Sequence, residues 1–223
     1  MGKSTFRPLS SAFESTVTNL DETTFPKTFS ELGTLGSSLG GSLGGSLVSL
    51  DSRLISSLKG SNKVTMTMVQ RQAWPLIATD GTNSVSPKPP VLLASETGSG
   101  KTLAYLLPVV QNLLLRKDAL SPGTWNAYPT AVVLVPNRLL GEQCGAMAAE
   151  LLGASIGATD RRIAISVDAV LAPTTGEGWR FSRDSPAPDV LVCTPAYLAH
   201  FLSDPAHKHG LGASLQWIVM DEV

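Results

Sequence analysis

The sequence predicts an α/β fold, a three-layer sandwich around a mostly parallel central sheet, and three observations predict it. Short apolar runs at 131–135, 163–167, 190–193 and 217–220 are partly β-branched and lack polar alternation, as strands buried on both faces do. Stripes at helical spacing accompany them: Leu103, Leu106, Leu107, Val110, Leu113 and Leu114, then Leu140, Cys144, Met147, Ala148 and Leu151. Ahead of the first stripe, the run Val91-Leu92-Leu93 stops at a loop holding Gly98 and Gly100, so strand, glycine loop and helix follow one another.

Composition bounds the rest. At 223 residues with 43% hydrophobic content, the chain can bury one sizeable core and leave residues over for an arm. A formal net charge of −1 gives no whole-domain basic field, so any nucleic-acid surface must be a local patch. The two cysteines, Cys144 and Cys193, form neither a Cys-x-x-Cys pair nor a disulfide framework; free thiols in a reducing, intracellular compartment are expected. No apolar run approaches the roughly 20 residues that span a bilayer, so no membrane partner is expected.

Residues 1–28 read as a disordered N-terminal arm, rich in Ser and Thr. Lys3, Arg7 and Lys27 suit a transit peptide, but Glu14, Asp21 and Glu22 spoil the acid-poor composition it needs. Residues 33–49 carry the four-residue repeat Gly-Gly-Ser-Leu, a low-complexity insertion too rich in Gly and Ser to order itself. Leu50, Leu54, Ile55 and Leu58 then share one face of a short helix that Asp51 caps. A further helix opens around Val69. Gln70 in its first turn has two readings: a buried helix glutamine bonded to backbone, or an amide whose donor and acceptor match the N6/N7 edge of adenine. The second would select ATP over GTP. Residues 79–90 read as an exposed excursion.

The loop Ser95-Glu96-Thr97-Gly98-Ser99-Gly100-Lys101-Thr102 points to phosphate chemistry. Its glycines let several backbone N–H groups face one oxyanion, and the helix behind them adds its positive dipole end. Lys101 reaches the β- and γ-phosphates of ATP, and the Thr102 hydroxyl suits Mg²⁺. Ser95 stands where the strict pattern has Gly. Downstream, three strand ends carry polar loops: Pro136-Asn137-Arg138 with Gln143, Thr194-Pro195, and Asp221-Glu222. Asp221 leaves an apolar strand where a carboxylate can hold Mg²⁺, and Glu222 can orient or deprotonate water. His207 and His209, in an expected loop, lack the carboxylate or Cys neighbours of a metal site. Arg161, Arg162, Arg180 and Arg183 read as solvated charge, and Cys193 as a buried strand residue.

These motifs, in this order, resemble the DEAD-box ATP-dependent RNA helicases over residues 29–223. Thr67-Met68-Val69-Gln70 looks like the Q motif, 95–102 motif I, Pro136-Asn137-Arg138 with Gln143 motif Ia, Thr194-Pro195 motif Ib, and Asp221-Glu222 the start of the DEAD box. The resemblance implies a first RecA-like, P-loop helicase domain, incomplete at its C-terminus, with the second RecA-like domain absent. Gln70 would read adenine with Phe29 stacking on it. Lys101, Asp221 and Glu222 would serve hydrolysis, with Thr102 and Asp221 on Mg²⁺, and Pro136, Arg138, Gln143, Thr194 and Pro195 would follow RNA backbone without reading sequence.

Motif Ia departs at Asn137, Leu139 and Gly141, motif Ib at Ala196 and Tyr197, and no clear Gly-Gly motif lies between Ser166 and Pro188. Such divergence is similar to a fungal mitochondrial branch, with ribosomal RNA or ribosome-assembly proteins as implied partners; nucleus and cytoplasm stay open as addresses. The resemblance implies unwinding or remodelling of RNA duplexes by the full-length protein, or ATP-dependent clamping of RNA. A P-loop kinase or transporter would have no use for Gln70. Without the second domain's arginines, worth about 10³ to 10⁵ in rate, the chain alone is expected to hydrolyse ATP negligibly.

Overall fold

The computed structural model describes residues 26–34, 49–78, 90–119, 127–153, 167–170 and 187–222. In chain order these form α1 (Phe29–Thr34), α2 (Ser52–Gly60), α3 (Met68–Ile77), α4 (Lys101–Ala119), β1 (Ala131–Leu134), α5 (Arg138–Gly153), β2 (Val167–Val170), β3 (Val190–Cys193), α6 (Pro195–Phe201), α7 (Pro205–Ser214) and β4 (Trp217–Met220). The strands make one parallel sheet in the order β2-β3-β1-β4.

The two central strands explain the lack of polar alternation in their sequence. Ala131 and Val133 of β1 and Val190 and Val192 of β3 join the large cluster that includes α4 and α5. Their neighbours Val132, Leu134, Leu191 and Cys193 point the other way, against Tyr197 and Phe201 of α6 and Leu211 of α7. Both faces are therefore covered by helices, the three-layer arrangement expected of a parallel sheet.

The helices ahead of the sheet are fastened by local signals. Asp51 caps α2, its carboxylate accepting from the Arg53 N–H at 2.8 Å. Gln111, buried on α4, accepts from the Asp51 N–H at 2.9 Å and donates to the Ser49 carbonyl at 3.2 Å, tying the start of α2 to the phosphate-loop helix. Thr28 bridges to Thr65, and the Phe29 N–H donates to the Val64 carbonyl at 3.1 Å, which holds α1 on the segment leading into α3.

Four expectations need correcting. Lys27 and Thr28 belong to the packed chain rather than the arm, because the Lys27 carbonyl accepts from the Met66 N–H at 2.9 Å. The second strand is Val167–Val170, not 163–167: pairing with β3 places Val167 opposite Val190, and 163–166 lie outside the described residues. Val91-Leu92-Leu93 is not a strand; the described sheet ends at β4, leaving this run without a ladder, and Val91 and Leu92 are exposed. His207 and His209 sit on α7 rather than in a loop, and the His207 ring stacks on Phe201 with centroids 4.3 Å apart. The Gly/Ser repeat at 35–48 and the arginines at 161, 162, 180 and 183 lie outside the described residues.

Candidate functional site

The phosphate loop is built by its glycines and its serines. Gly98 and Gly100 take φ values of 80° and 93°, a left-handed backbone that favours residues without a Cβ. A Cβ on Gly100 would also collide with the Gln70 amide. Ser95, the departure from the strict pattern, has a role here: its hydroxyl bonds that of Ser99 at 2.6 Å across the loop, beside the Ser99 N–H to Glu96 carbonyl turn at 3.2 Å. Lys101 opens α4 and folds back over the loop, its Nζ donating to the carbonyls of Ser95 at 2.7 Å and Glu96 at 3.0 Å. An ammonium, a helix N-terminus and a turn of backbone thus converge on one spot, which is what a polyphosphate requires.

Gln70 lies against the loop. At 6% exposed, it accepts from the Thr67 N–H through Oε1 at 2.9 Å, one half of a capping box for α3, and donates through Nε2 to the Gly100 carbonyl at 3.2 Å. The structure therefore gives the first of its two sequence readings, a buried glutamine bonded to backbone, and places that backbone in the phosphate loop. Phe29 departs from its expected place. Its ring is 2% exposed, within the same apolar cluster as Leu32, Leu50 and Leu54, and offers no open face for stacking on a base.

Strand register brings the three polar loops to one edge. Leu134 pairs with Cys193 on one side and Met220 on the other, so Pro136, Thr194 and Asp221 leave three neighbouring strands at their carboxyl ends. Adjacent strands lie roughly 4.8 Å apart. The Asp221 N–H donates to the Leu134 carbonyl at 2.9 Å, extending the ladder by one bond. Pro136, Arg138, Gln143 and Pro195 are exposed, with Arg138 paired to Glu142 at 2.7 Å across one helical turn. Asn137 and Thr194 also cap helices: Asn137 Oδ1 accepts from the Leu140 N–H at 3.0 Å, and the Thr194 hydroxyl from the Tyr197 N–H at 3.3 Å. The cap explains why Asn is tolerated in the first loop.

Tyr105 joins the loop helix to the acidic strand end and was not singled out by sequence. Its hydroxyl donates to Asp221 Oδ2 at 2.7 Å and lies 3.6 Å from Cys144 Sγ. Burial foremost pushes the Tyr105 hydroxyl well above its ordinary range and the Cys144 thiol up to about 11, so both groups keep their protons. The available signal was a polar tip three residues after Thr102 in an otherwise apolar helix. Glu222, exposed, follows with a left-handed φ of 56°.

A glycine loop capping a helix, next to an acidic residue that ends a parallel strand, defines a P-loop nucleotide-binding domain. The model of the DEAD/DEAH box helicase family matches residues 67–223, and the chain belongs to that family. It is 34% identical over 177 residues to the ATP-dependent RNA helicase DBP9 of Eremothecium gossypii, covering 78% of this chain and 27% of that protein. With the DEAD-box ATP-dependent RNA helicase 22 of Oryza sativa it shares 34% over 184 residues, 78% of this chain and 28% of the relative. The chain thus spans little more than a quarter of these relatives. Among solved structures, S. cerevisiae Dbp5 bound to RNA and ADP BeF3 superposes with a TM-score of 0.52 at 18% identity, covering 89% of this chain and 47% of that one. That likeness confirms the RecA-like fold.

Proposed function

We propose that this chain is the ATP-binding part of an ATP-dependent RNA helicase, coupling Mg²⁺-ATP turnover to local opening or remodelling of RNA in the full-length protein. The observation that carries it is the link between α4, the helix that opens with Lys101 and Thr102, and Asp221 at the end of β4. Residues more than a hundred positions apart meet because Tyr105, one turn behind Lys101, bonds Asp221. Lys101 binds and charge-balances the outer phosphates. Glu222, the residue after Asp221, would orient the attacking water and take its proton.

The donor set fits Mg²⁺. A threonine hydroxyl and one carboxylate are hard oxygen donors, and a site of this kind leaves its remaining positions to water and phosphate oxygens. When bound, Mg²⁺ neutralises charge on the β- and γ-phosphates; Thr102 and Asp221 are the residues that would hold it. Gln70 keeps a second N–H and a second lone pair beyond its two backbone bonds, the pair an adenine edge needs. Pro136, Arg138, Gln143 and Pro195 are exposed and, with Thr194, follow the carboxyl ends of the neighbouring strands β1 and β3, where contacts to phosphates and sugars rather than base edges are expected. The similarity to proteins named as RNA helicases supports RNA as the partner of these residues.

Equilibrium binding of a fluorescent ATP analogue with Mg²⁺ tests the reading. Lys101→Ala should weaken binding at least about tenfold, the value of one charge-assisted hydrogen bond. GTP should compete poorly against the parent, and Gln70→Ala should lose that discrimination. Equal competition by GTP removes the adenine assignment and leaves a generic P-loop nucleotide site.

A further inference from the structure

We propose that Tyr105 is a positioning residue for the cation site, holding the Asp221 carboxylate in register with the phosphate loop; this rests on the Mg²⁺-ATP reading above. Tyr105 follows Thr102 by three residues and Lys101 by four, so it lies one turn down the same face of α4. Its ring is buried among the apolar residues of the large cluster, and its hydroxyl alone reaches the carboxyl edge of the sheet. Phenylalanine would fill the same volume. A buried hydroxyl is costly unless bonded, and here its partners are Asp221 at 2.7 Å and Cys144 at 3.6 Å.

Asp221 needs such a partner. It is the first residue past β4, its backbone is fixed by the Leu134 carbonyl, and its carboxylate can still rotate about two bonds. Among the described residues, the Tyr105 hydroxyl is the side-chain donor that fixes it. With Oδ2 engaged, the plane of the carboxylate is set and Oδ1 is left to face a cation. Carboxylates that bind metals are commonly oriented in this way, and removal of the orienting group costs about 10- to 100-fold in metal affinity. Because the tyrosine stands on the helix that begins with Lys101 and Thr102, it also links the phosphate and cation halves of the site through one rigid element.

The test is the factor by which Mg²⁺ strengthens binding of the fluorescent ATP analogue, measured in EDTA and in saturating Mg²⁺. The parent, Tyr105→Phe, Asp221→Asn and the double variant are compared, with a thermal melt of each. Tyr105→Phe should leave affinity in EDTA unchanged and cut the Mg²⁺ factor about tenfold; Asp221→Asn should abolish the factor, and the double variant should be no worse than Asp221→Asn alone. An unchanged factor in Tyr105→Phe, beside a lost one in Asp221→Asn, overturns the proposal and spares the nucleotide site. Parallel loss in EDTA and Mg²⁺ overturns it in favour of simple support of the loop. A factor that survives Asp221→Asn overturns both readings.

Discussion

Strands β1 and β4 have nearly the same sequence character, Ala-Val-Val-Leu and Trp-Ile-Val-Met, and lie side by side in parallel register. Val132 pairs with Ile218 and Leu134 with Met220, so each pair shares one face of the sheet. Yet Val132 and Leu134 are 0% and 7% exposed, while Ile218 and Met220 are 55% and 70% exposed. Helices α6 and α7 cover that face as far as β1 and stop. On the opposite face Trp217 and Val219 still pack on the large cluster, the Trp217 indole donating to Asn112 Oδ1 at 3.3 Å. What separates the strands is the neighbour each has been given, and the candidate cation ligand Asp221 grows from the barer one.

The largest contrast should come from charge. Val132→Asp buries an unpaired carboxylate between sheet and helices and should cost more than about 4 kcal/mol, enough to unfold the domain in a denaturant melt. Ile218→Asp, one strand away on the same face, should cost about 1 kcal/mol or less. Equal losses at the two positions would mean that the outer face of β4 is covered in solution.

Thiol chemistry sharpens the same comparison. Burial pushes the Cys193 thiol in β3 up to about 12. A cysteine introduced as Ile218→Cys sits at the open face and should keep an ordinary value near ~8.5. At pH 8 the thiolate fractions then differ by about three orders of magnitude, so iodoacetamide should label position 218 long before Cys193. The sign with pH is distinctive: labelling at 218 should level off above about pH 9, while any labelling of folded Cys193 should still rise tenfold per unit.

What was legible in the sequence follows the range of each interaction. The phosphate loop, the Asp51 cap, the opening of α3 and the two strands at 190–193 and 217–220 are written in contiguous residues, and the structure has them where the pattern puts them. Edge and centre are not so written, because an apolar run reads the same whichever neighbour it lacks; Val91-Leu92-Leu93 failed as a strand for this reason. Gln70 shows the middle case. Its amide chemistry was visible, but its bond to the Gly100 carbonyl spans 30 residues of sequence and depends on how α3 crosses α4. Tyr105 and Asp221, 116 residues apart, could be matched only after the sheet was assembled.

Amide hydrogen exchange makes the smallest and most local distinction. Trp217 N–H donates to the Thr130 carbonyl and Asp221 N–H to the Leu134 carbonyl, so the odd-numbered amides of β4 face β1. In a parallel ladder the alternate amides, those of Ile218 and Met220, then point away from β1, toward the side on which the sheet ends among the described residues. Both strands of the pair unfold together, so a difference between their amides reports on the edge itself rather than on global stability. Ile218 and Met220 amides should exchange at least about a hundredfold faster than those of Val132 and Leu134, which lie inside the ladder. Matched protection across the four would require a further backbone segment bonded along β4. In that case the exposure of Ile218 and Met220 would belong to the isolated chain and the cation ligand would stand on an interior strand.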